Sequence, residues 1–534
     1  MKVNNKKLCI FVAAVGVLIA AFCLYIIYSR SGMRLDYFHG MALGCILGGC
    51  VLVAVTGYLV LIRKTPLRVL YPLLGITLGI ITYFVLPVYT KPDDTHHGAA
   101  AYALSNQLLG TTMEGAPQER LRRSCDNLLD SIVDGDAGER QMLYLSQDTY
   151  NMIGSWFAPT DETDIVKAEI TKYKGGNPVP YLPGALGITL ARLMGLNFGW
   201  AALFAALLQI LFFTAVMTWA IHKTPIGKNL FLVFGLLPIV LQQVASFSYD
   251  CALLAGCVIV TALCFYWAYD PGRKWLVSDF LMYALAALLL AFTKGGVYAP
   301  LLILPLLLLV RKDMLKKPGT WLILLGVLLV IGIGLTYWLF RMGGLETIKY
   351  QMDYEYYNIF VYESGHSITY YLQHPQVFLT RFFHTLRTQT VIYLKELVGG
   401  FLGWRRTIVI SWKLLLVFYG LLLLAMMEVR EHQKRIPLLH RILFLVIFGG
   451  YAVFMLLLMA VRWSAASWDW IDGVQGRYFL PTFLLALAGL GFWSGERAKK
   501  IGGKIPGEIF PIAMAALDYL VLCGCVWMST IFPA

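Results

Sequence analysis

Charge is what this sequence has least of. Asp, Glu, Lys and Arg make up 14% of its 534 residues, while 58% are hydrophobic. A soluble chain of this length would divide into three or four domains, and a composition so poor in charge excludes that arrangement. A Gly-rich phosphate loop of the ATP-binding kind is missing, as is a dinucleotide fingerprint; any energy has to come from a substrate or a gradient. Internal repeats and low-complexity tracts are absent beyond the leucine-rich runs themselves. Nor is there a disulfide framework. Of ten cysteines, nine lie in or beside apolar runs and only Cys125 sits in a long polar segment; Cys523-Val-Cys525 fits small apolar packing better than a redox pair.

What is present is a series of apolar runs close to the roughly 20 residues that cross a hydrocarbon core. They lie near Leu8–Tyr28, Met41–Ile62, Val69–Tyr89, Phe198–Ile221, Leu230–Ala245, Cys251–Tyr269, Trp275–Phe292, Tyr298–Val310, Trp321–Phe340, Ile408–Met427, Ile442–Val461, Tyr478–Trp493 and Pro511–Phe532. The expectation is an all-α polytopic membrane protein with about 13 transmembrane helices, the fifth and eighth short for the purpose. The first run exceeds a signal-peptide core and ends at Tyr28-Ser-Arg-Ser31 without a small-residue cleavage pattern, so it reads as a retained helix.

The net charge of +13 does not point to nucleic acid, because the cations alternate by loop instead of forming a patch. Lys2, Lys6 and Lys7 precede the first run; Arg63, Lys64 and Arg68, then Lys223 and Lys228, Arg273 and Lys274, Arg311 to Lys317, Arg430 to Arg441, and Arg497 to Lys504 fill every second loop. By the positive-inside rule the N-terminus is cytoplasmic and the C-terminus outside, with membrane lipids as the surrounding partner. Three outer segments are long: Thr90 to about Asn197, Arg341 to about Thr407, and Arg462 to Arg477. In the first, Gln118–Ile132 has the spacing of an amphipathic surface helix, Asn177-Pro-Val-Pro-Tyr-Leu-Pro183 reads as an extended re-entry, and Ala185–Gly195 as a short helix. The second is tyrosine-rich, suiting either the headgroup zone or sugar stacking. The chain divides into two accessory helices over residues 1–68, a membrane module over 69–340 that includes the loop 90–197, an outer segment over 341–407, and C-terminal helices over 408–534.

The suspicious polar residues share the outer side. Lys91-Pro-Asp-Asp-Thr-His-His97 follows an uncharged apolar run directly, and Asp93, Asp94, His96, His97, Asp250, Lys294, Asp472, Gln475 and Arg477 all fall at outer ends of runs. Asp93 and Asp94 are candidate proton acceptors for a hydroxyl nucleophile, or one of them caps the helix expected over Thr95–Leu108. A divalent metal at Asp93, Asp94 and His97 is a third possibility. Arg477, beside Gly476, could grip a phosphate with two bonds, and Lys294 could support it, or both could snorkel to headgroups. Asp250 could orient a cation or cap the following helix.

These residues, in this order, resemble the DUF2142 family of membrane proteins, whose Pro-Asp-Glu-x-x-His signature is matched by Pro92-Asp93-Asp94-Thr95-His96-His97 with Tyr102 and Gly110 downstream. The likeness continues in Ser248-Tyr249-Asp250, in Lys294 with Tyr298, in Leu397-Val-Gly-Gly-Phe-Leu-Gly-Trp404, and in Gln475-Gly-Arg-Tyr478 followed by Pro481. Asp94 departs from the family's usual Glu. The family in turn looks like the GT-C superfamily of glycosyltransferases. The resemblance implies a multi-pass plasma-membrane enzyme whose site faces outside. It would take a sugar from a polyprenyl-phosphate donor and pass it to a glycan, lipid or polymer acceptor, with Asp93 as base, Asp94 as runner-up, and Arg477 and Lys294 on the donor phosphate. His97, Asp250, Gln475, Tyr478 and Tyr102 would support the site. The donor phosphate is already a good leaving group, so no nucleotide site is needed, and a divalent metal at Asp93, Asp94 and His97 remains an open alternative. A transporter of lipid-linked glycans, or a scaffold in an envelope-synthesis complex, are the other readings; charge-poor runs without repeats count against transport.

Overall fold

A computed structural model describes residues 5–32, 34–110, 120–126, 143–159, 165–168, 178–270, 272, 276–291, 293, 297–309, 316, 318–341, 345–358, 361–404, 407–427, 436–491 and 506–530. Among them the chain forms twenty α-helices and three two-stranded antiparallel ladders. The helices are α1 (Asn5–Ser31), α2 (Tyr37–Leu61), α3 (Leu67–Val85), α4 (Asp94–Leu108), α5 (Gln147–Ser155), α6 (Leu182–Leu193), α7 (Phe198–Lys223), α8 (Lys228–Gly235), α9 (Pro238–Val244) and α10 (Asp250–Tyr269). There follow α11 (Val277–Ala291), α12 (Leu304–Leu309), α13 (Pro318–Arg341), α14 (Leu345–Asp353), α15 (Ile368–Gln373), α16 (Pro375–Val398), α17 (Trp412–Met427), α18 (Leu438–Arg462), α19 (Leu480–Leu490) and α20 (Ile509–Met528).

Seven of these, α1, α2, α3, α7, α10, α18 and α20, are long and apolar enough to cross a membrane, and five shorter apolar helices lie at 277–290, 299–309, 319–333, 412–427 and 476–490. The remaining run, Leu230–Ala245, is broken into α8 and α9. Pro238 causes the break: it has no N–H to continue α8, and its fixed φ suits the first turn of α9.

Helix α10 is the central post. Every one of its residues is buried, and it packs against α7, α11, α12 and α19. In lipid the solvent is as apolar as leucine, so such packing rests on close approach rather than on hydrophobic exclusion. The α6–α7 contact shows how: a Cβ on Gly187 would lie 2.3 Å from the Phe204 carbonyl oxygen, and Ala201, Ala202, Ala205 and Ala206 are buried on α7. The C-terminal α20 packs on α1, α2 and α3.

Helix ends sort into two faces. On one, Lys64 in the α2–α3 turn meets Glu508 before α20 at 3.1 Å, Lys223 at the end of α7 meets Asp279 in α11 at 2.6 Å, and Tyr269 at the end of α10 meets His440 in α18 at 2.9 Å. The opposite face holds the turn after α3, the segment around α5, and the start of α10.

Three local expectations change. Arg120–Arg123 is a strand paired with Ile165–Ala168, and Ser124–Asp126 a 3-10 turn, so the surface helix proposed for Gln118–Ile132 does not form over its described part; residues 118, 119 and 127–132 lie outside the described residues. Strand pairing satisfies this backbone through a partner that helical spacing alone does not reveal. Residues 178–181 are not extended: Val179–Tyr181 is a 3-10 turn running straight into α6, since proline is well accommodated in the first turn of a helix; Asn177 lies outside the described residues. The tyrosine-rich segment over 341–407 contains the 24-residue α16, which has proline at its start and Gly399 at φ 97° at its end. Both are helix boundary signals that were present in the sequence.

Candidate functional site

The chain leaves α3 through a tight turn in which two non-glycine residues, Tyr89 (φ 67°) and Asp93 (φ 61°), take the left-handed conformation. Each such residue costs on the order of 1–3 kcal/mol unless its surroundings fix it. Here they do. Thr90 accepts the Trp404 N–H at 2.7 Å, which seats the Gly-rich segment after α16 on the turn, and Tyr89 accepts the Leu143 N–H at 2.7 Å.

Asp94 lies under this turn and is wholly buried. Its Oδ2 accepts the Tyr89 N–H at 3.0 Å and its Oδ1 accepts the Phe247 N–H at 2.8 Å. The Lys91 ammonium, also buried, sits 3.9 Å away and donates to the carbonyls of Leu86 and Ala245, at 2.9 and 2.5 Å. Burial pushes Asp94 up and Lys91 down to about 8, each opposed by the charge of the other. With two N–H groups pointing at its oxygens, the carboxyl serves here as an acceptor only. Asp94 and Lys91 thus tie the α3–α4 turn to the segment entering α10. Lys91 was not singled out in the sequence, though a lysine at the outer end of an apolar run was a signal.

This arrangement predicts that Asp94→Asn acts on structure first. An amide has one acceptor oxygen, and its NH2 would face one of the two backbone donors, so a buried N–H loses its partner at a cost of about 1–3 kcal/mol. The purified variant should melt several degrees below wild type, and an unchanged melting temperature would remove the pinning role.

Asp93, by contrast, is open: its side chain is 49% exposed. It occupies the N-cap position of α4 but makes no side-chain capping bond, so the capping alternative is not realised by either aspartate. Instead Oδ2 accepts from Arg477 Nη2 at 2.7 Å, across 384 residues of sequence. Burial alone would raise the Asp93 carboxyl, but the charge of Arg477, lesser help from His97, and the Arg477 hydrogen bond hold it below the usual carboxylate value. It is therefore ionised at neutral pH.

Arg477 is 5% exposed and stands in the 3-10 turn Gly476–Phe479 that opens α19. Its Nη1 lies 4.0 Å from Asp250 Oδ2 at the start of α10, and its buried Nε has no hydrogen-bond partner among the described residues. The end of α16 sets its position. Gly476 donates to Glu396 Oε2, and a Cβ at Gly476 would be 2.3 Å from the Tyr393 carbonyl oxygen, so only glycine fits. The Tyr478 ring lies beside the guanidinium at 5.6 Å, and its carbonyl accepts from Tyr298. Gln475 contributes its carbonyl to the turn, accepting the Tyr478 N–H at 2.9 Å.

His97 is buried with Nδ1 2.9 Å from the Tyr181 hydroxyl and its ring edge-on to Tyr249 at 4.6 Å. Burial pushes it down to about 4, so it is neutral at pH 7. Tyr181 was given no role from the sequence, and Tyr249 was quoted only within the Ser248-Tyr249-Asp250 likeness, since single tyrosines near span ends carry no local signal. Tyr102 does not join this group. It is about 13 Å along α4 from Asp93 at 1.5 Å per residue, and its hydroxyl donates to Asp126 within a separate network with Arg123 and Arg192. Lys294 lies outside the described residues. The metal set Asp93, Asp94 and His97 does not fit a cation: both Asp94 oxygens face backbone donors, His97 Nδ1 faces a hydroxyl, and Asp93 is on Arg477. Among the described residues no group of three His, Cys, Asp or Glu side chains is placed to hold a metal.

Fold and site together define an all-α membrane protein of several spans, in which the α3–α4 turn, the start of α10 and the start of α19 bring two carboxylates and a guanidinium together on one face. The chain belongs to the family described as "Predicted membrane protein (DUF2142)", whose profile matches residues 76–486. The match takes in Asp93, Asp94, Asp250 and Arg477 and leaves α1, α2 and α20 outside. No curated protein and no solved structure matches the chain.

Proposed function

We propose that this protein is a GT-C-type membrane glycosyltransferase of the plasma membrane, moving a sugar from a polyprenyl-phosphate donor to a hydroxyl of a glycan, lipid or polymer. The observation that carries the reading is the Asp93–Arg477 contact: an accessible, ionised carboxylate against a buried guanidinium with a donor to spare. In the reaction the acceptor oxygen attacks the anomeric carbon, the bond from that carbon to the phosphate oxygen breaks, and polyprenyl phosphate departs with the electron pair. Asp93 takes the hydroxyl proton, and attack opposite the leaving group inverts the anomeric centre. Arg477 neutralises charge gathering on the phosphate through a planar two-bond grip, with Lys294 in support. Asp250 steadies the guanidinium from its other edge.

The test is transfer by the purified protein from a panel of polyprenyl-phosphate sugars; absence of transfer and of donor hydrolysis throughout the panel would sink the reading.

The reading also needs the Asp93 face to be outside, where nucleotide sugars are lacking and lipid-linked donors serve. Cysteines at the exposed Gln376 of α16 and at the exposed Arg63 of the α2–α3 turn report on opposite faces. In intact cells and a background without Cys125, a membrane-impermeant thiol reagent should label the Gln376→Cys variant, and the Arg63→Cys variant only after the membrane is opened. The reverse pattern would place the site in the cytoplasm and remove the case for a lipid-phosphate donor.

A further inference from the structure

Where α1 hands over to α2, three side chains outside the family match line up in hydrogen-bond reach. Ser31 Oγ is 2.8 Å from His39 Nε2, and His39 Nδ1 is 2.6 Å from Asp36 Oδ1. The carboxylate is itself held: its Oδ1 also accepts the His39 N–H at 2.9 Å, and its Oδ2 accepts from Asn151 Nδ2 at 3.3 Å, while Asn151 Oδ1 takes the Phe38 N–H at 2.9 Å. The imidazole is 2% exposed, stacked on Tyr28 at 5.4 Å and edge-on to Phe38 at 5.2 Å. Ser31 is half-buried, and no described residue beyond the glycine's chain neighbours lies within 4 Å of where a Cβ on Gly32 would stand.

Capping of α2 accounts for Asp36 and the His39 N–H alone. It does not require an imidazole fixed between a carboxylate and a hydroxyl. Nucleophile, base and orienting acid in this order are what activate a serine, because the base takes the hydroxyl proton as the oxygen attacks and the acid holds the ring in the tautomer that can accept it. The Ser31 hydroxyl has one proton and a second acceptor, the Ile27 carbonyl at 2.7 Å, so the active rotamer turns that proton from Ile27 to Nε2. The turn joins the ends of two long apolar helices, on the same face as Asp93, and carries the fully exposed Leu35.

We propose that Ser31, His39 and Asp36 form a second, esterase-type site acting on carboxylic esters presented at the membrane surface. Ser31 Oγ bonds to the ester carbonyl carbon while its proton passes to His39 Nε2. The carbon–alkoxy bond then breaks, and the leaving alcohol takes that proton. Water, deprotonated by the same imidazole, releases the acid and restores the serine.

The experiment uses the full chain in nanodiscs, with a fluorophosphonate probe read by peptide mass spectrometry and p-nitrophenyl butyrate as substrate. Wild type should carry the phosphonyl adduct on Ser31. Ester hydrolysis should fall by about 100-fold or more in Ser31→Ala and in His39→Gln, and Ser31→Ala should leave sugar transfer unchanged, since Ser31 has no part in the Asp93 site. Absence of an adduct on Ser31 in folded wild-type protein would overturn the proposal, as would labelling and hydrolysis that persist in folded His39→Gln. Either result would leave the imidazole as a structural bridge between α1 and α2. Wild-type labelling decides the matter even where a variant does not fold.

Discussion

Asp93→Asn should abolish sugar transfer, by about 100-fold or more, while the protein purifies as a folded species. Loss of a positioned general base typically costs this much. The side chain is 49% exposed, makes no capping bond, and an asparagine oxygen can still accept from Arg477 Nη2, so the change removes charge and basicity at nearly constant shape. Folding is therefore insulated from the substitution in a way that Asp94, with both oxygens on backbone N–H groups, is not. Transfer assays beside size-exclusion and melting profiles would check it. Wild-type turnover in this variant would end the assignment of Asp93 as base.

The second large effect is expected at Arg477→Lys. The guanidinium reaches Asp93 with Nη2 and faces Asp250 with Nη1, and its geometry matches the planar oxygens of a phosphate. A lysine keeps the charge but offers a single point, losing one charge-assisted bond worth about 2 kcal/mol. The donor kcat/KM should drop by roughly 30-fold, about what 2 kcal/mol gives at 1.4 kcal/mol per decade. The Asp93 carboxyl should stay near its wild-type position, because a cation remains beside it. Unchanged donor use would mean that Arg477 supports the fold rather than the phosphate.

Much of this architecture was legible in the chain, and for physical reasons. Long apolar runs and alternating cation clusters follow from what lipid tolerates, so each of the runs holds helix, and loop ends bearing those cations, such as Lys64 and Lys223, share one face. The convergence of Asp93, Asp250 and Arg477 was inferred from sidedness and is met at 2.7 and 4.0 Å. The resemblance ranked Asp93 ahead of Asp94, but the residues alone did not show how the turn would divide the two adjacent aspartates. Asp93 and Asp94 look alike in a string, yet the left-handed turn leaves one exposed beside the buried guanidinium and puts the other beneath the turn. Tyr102 was grouped with the site by the family resemblance, and helical rise carries it away. Gly476 was marked by its place beside Arg477, but the distant segments that Lys91 and Gly476 meet, at Ala245, Tyr393 and Glu396, are encoded by no local pattern.

The most direct measurement is a structure of the full-length protein in nanodiscs containing a polyprenyl phosphate. The account predicts phosphate density within hydrogen-bonding reach of Arg477, the Asp93–Arg477 bond broken, and the Asp93 carboxylate left facing the space where an acceptor hydroxyl would enter. Lipid phosphate seated elsewhere, with Asp93 still on Arg477 at 2.7 Å, would contradict it.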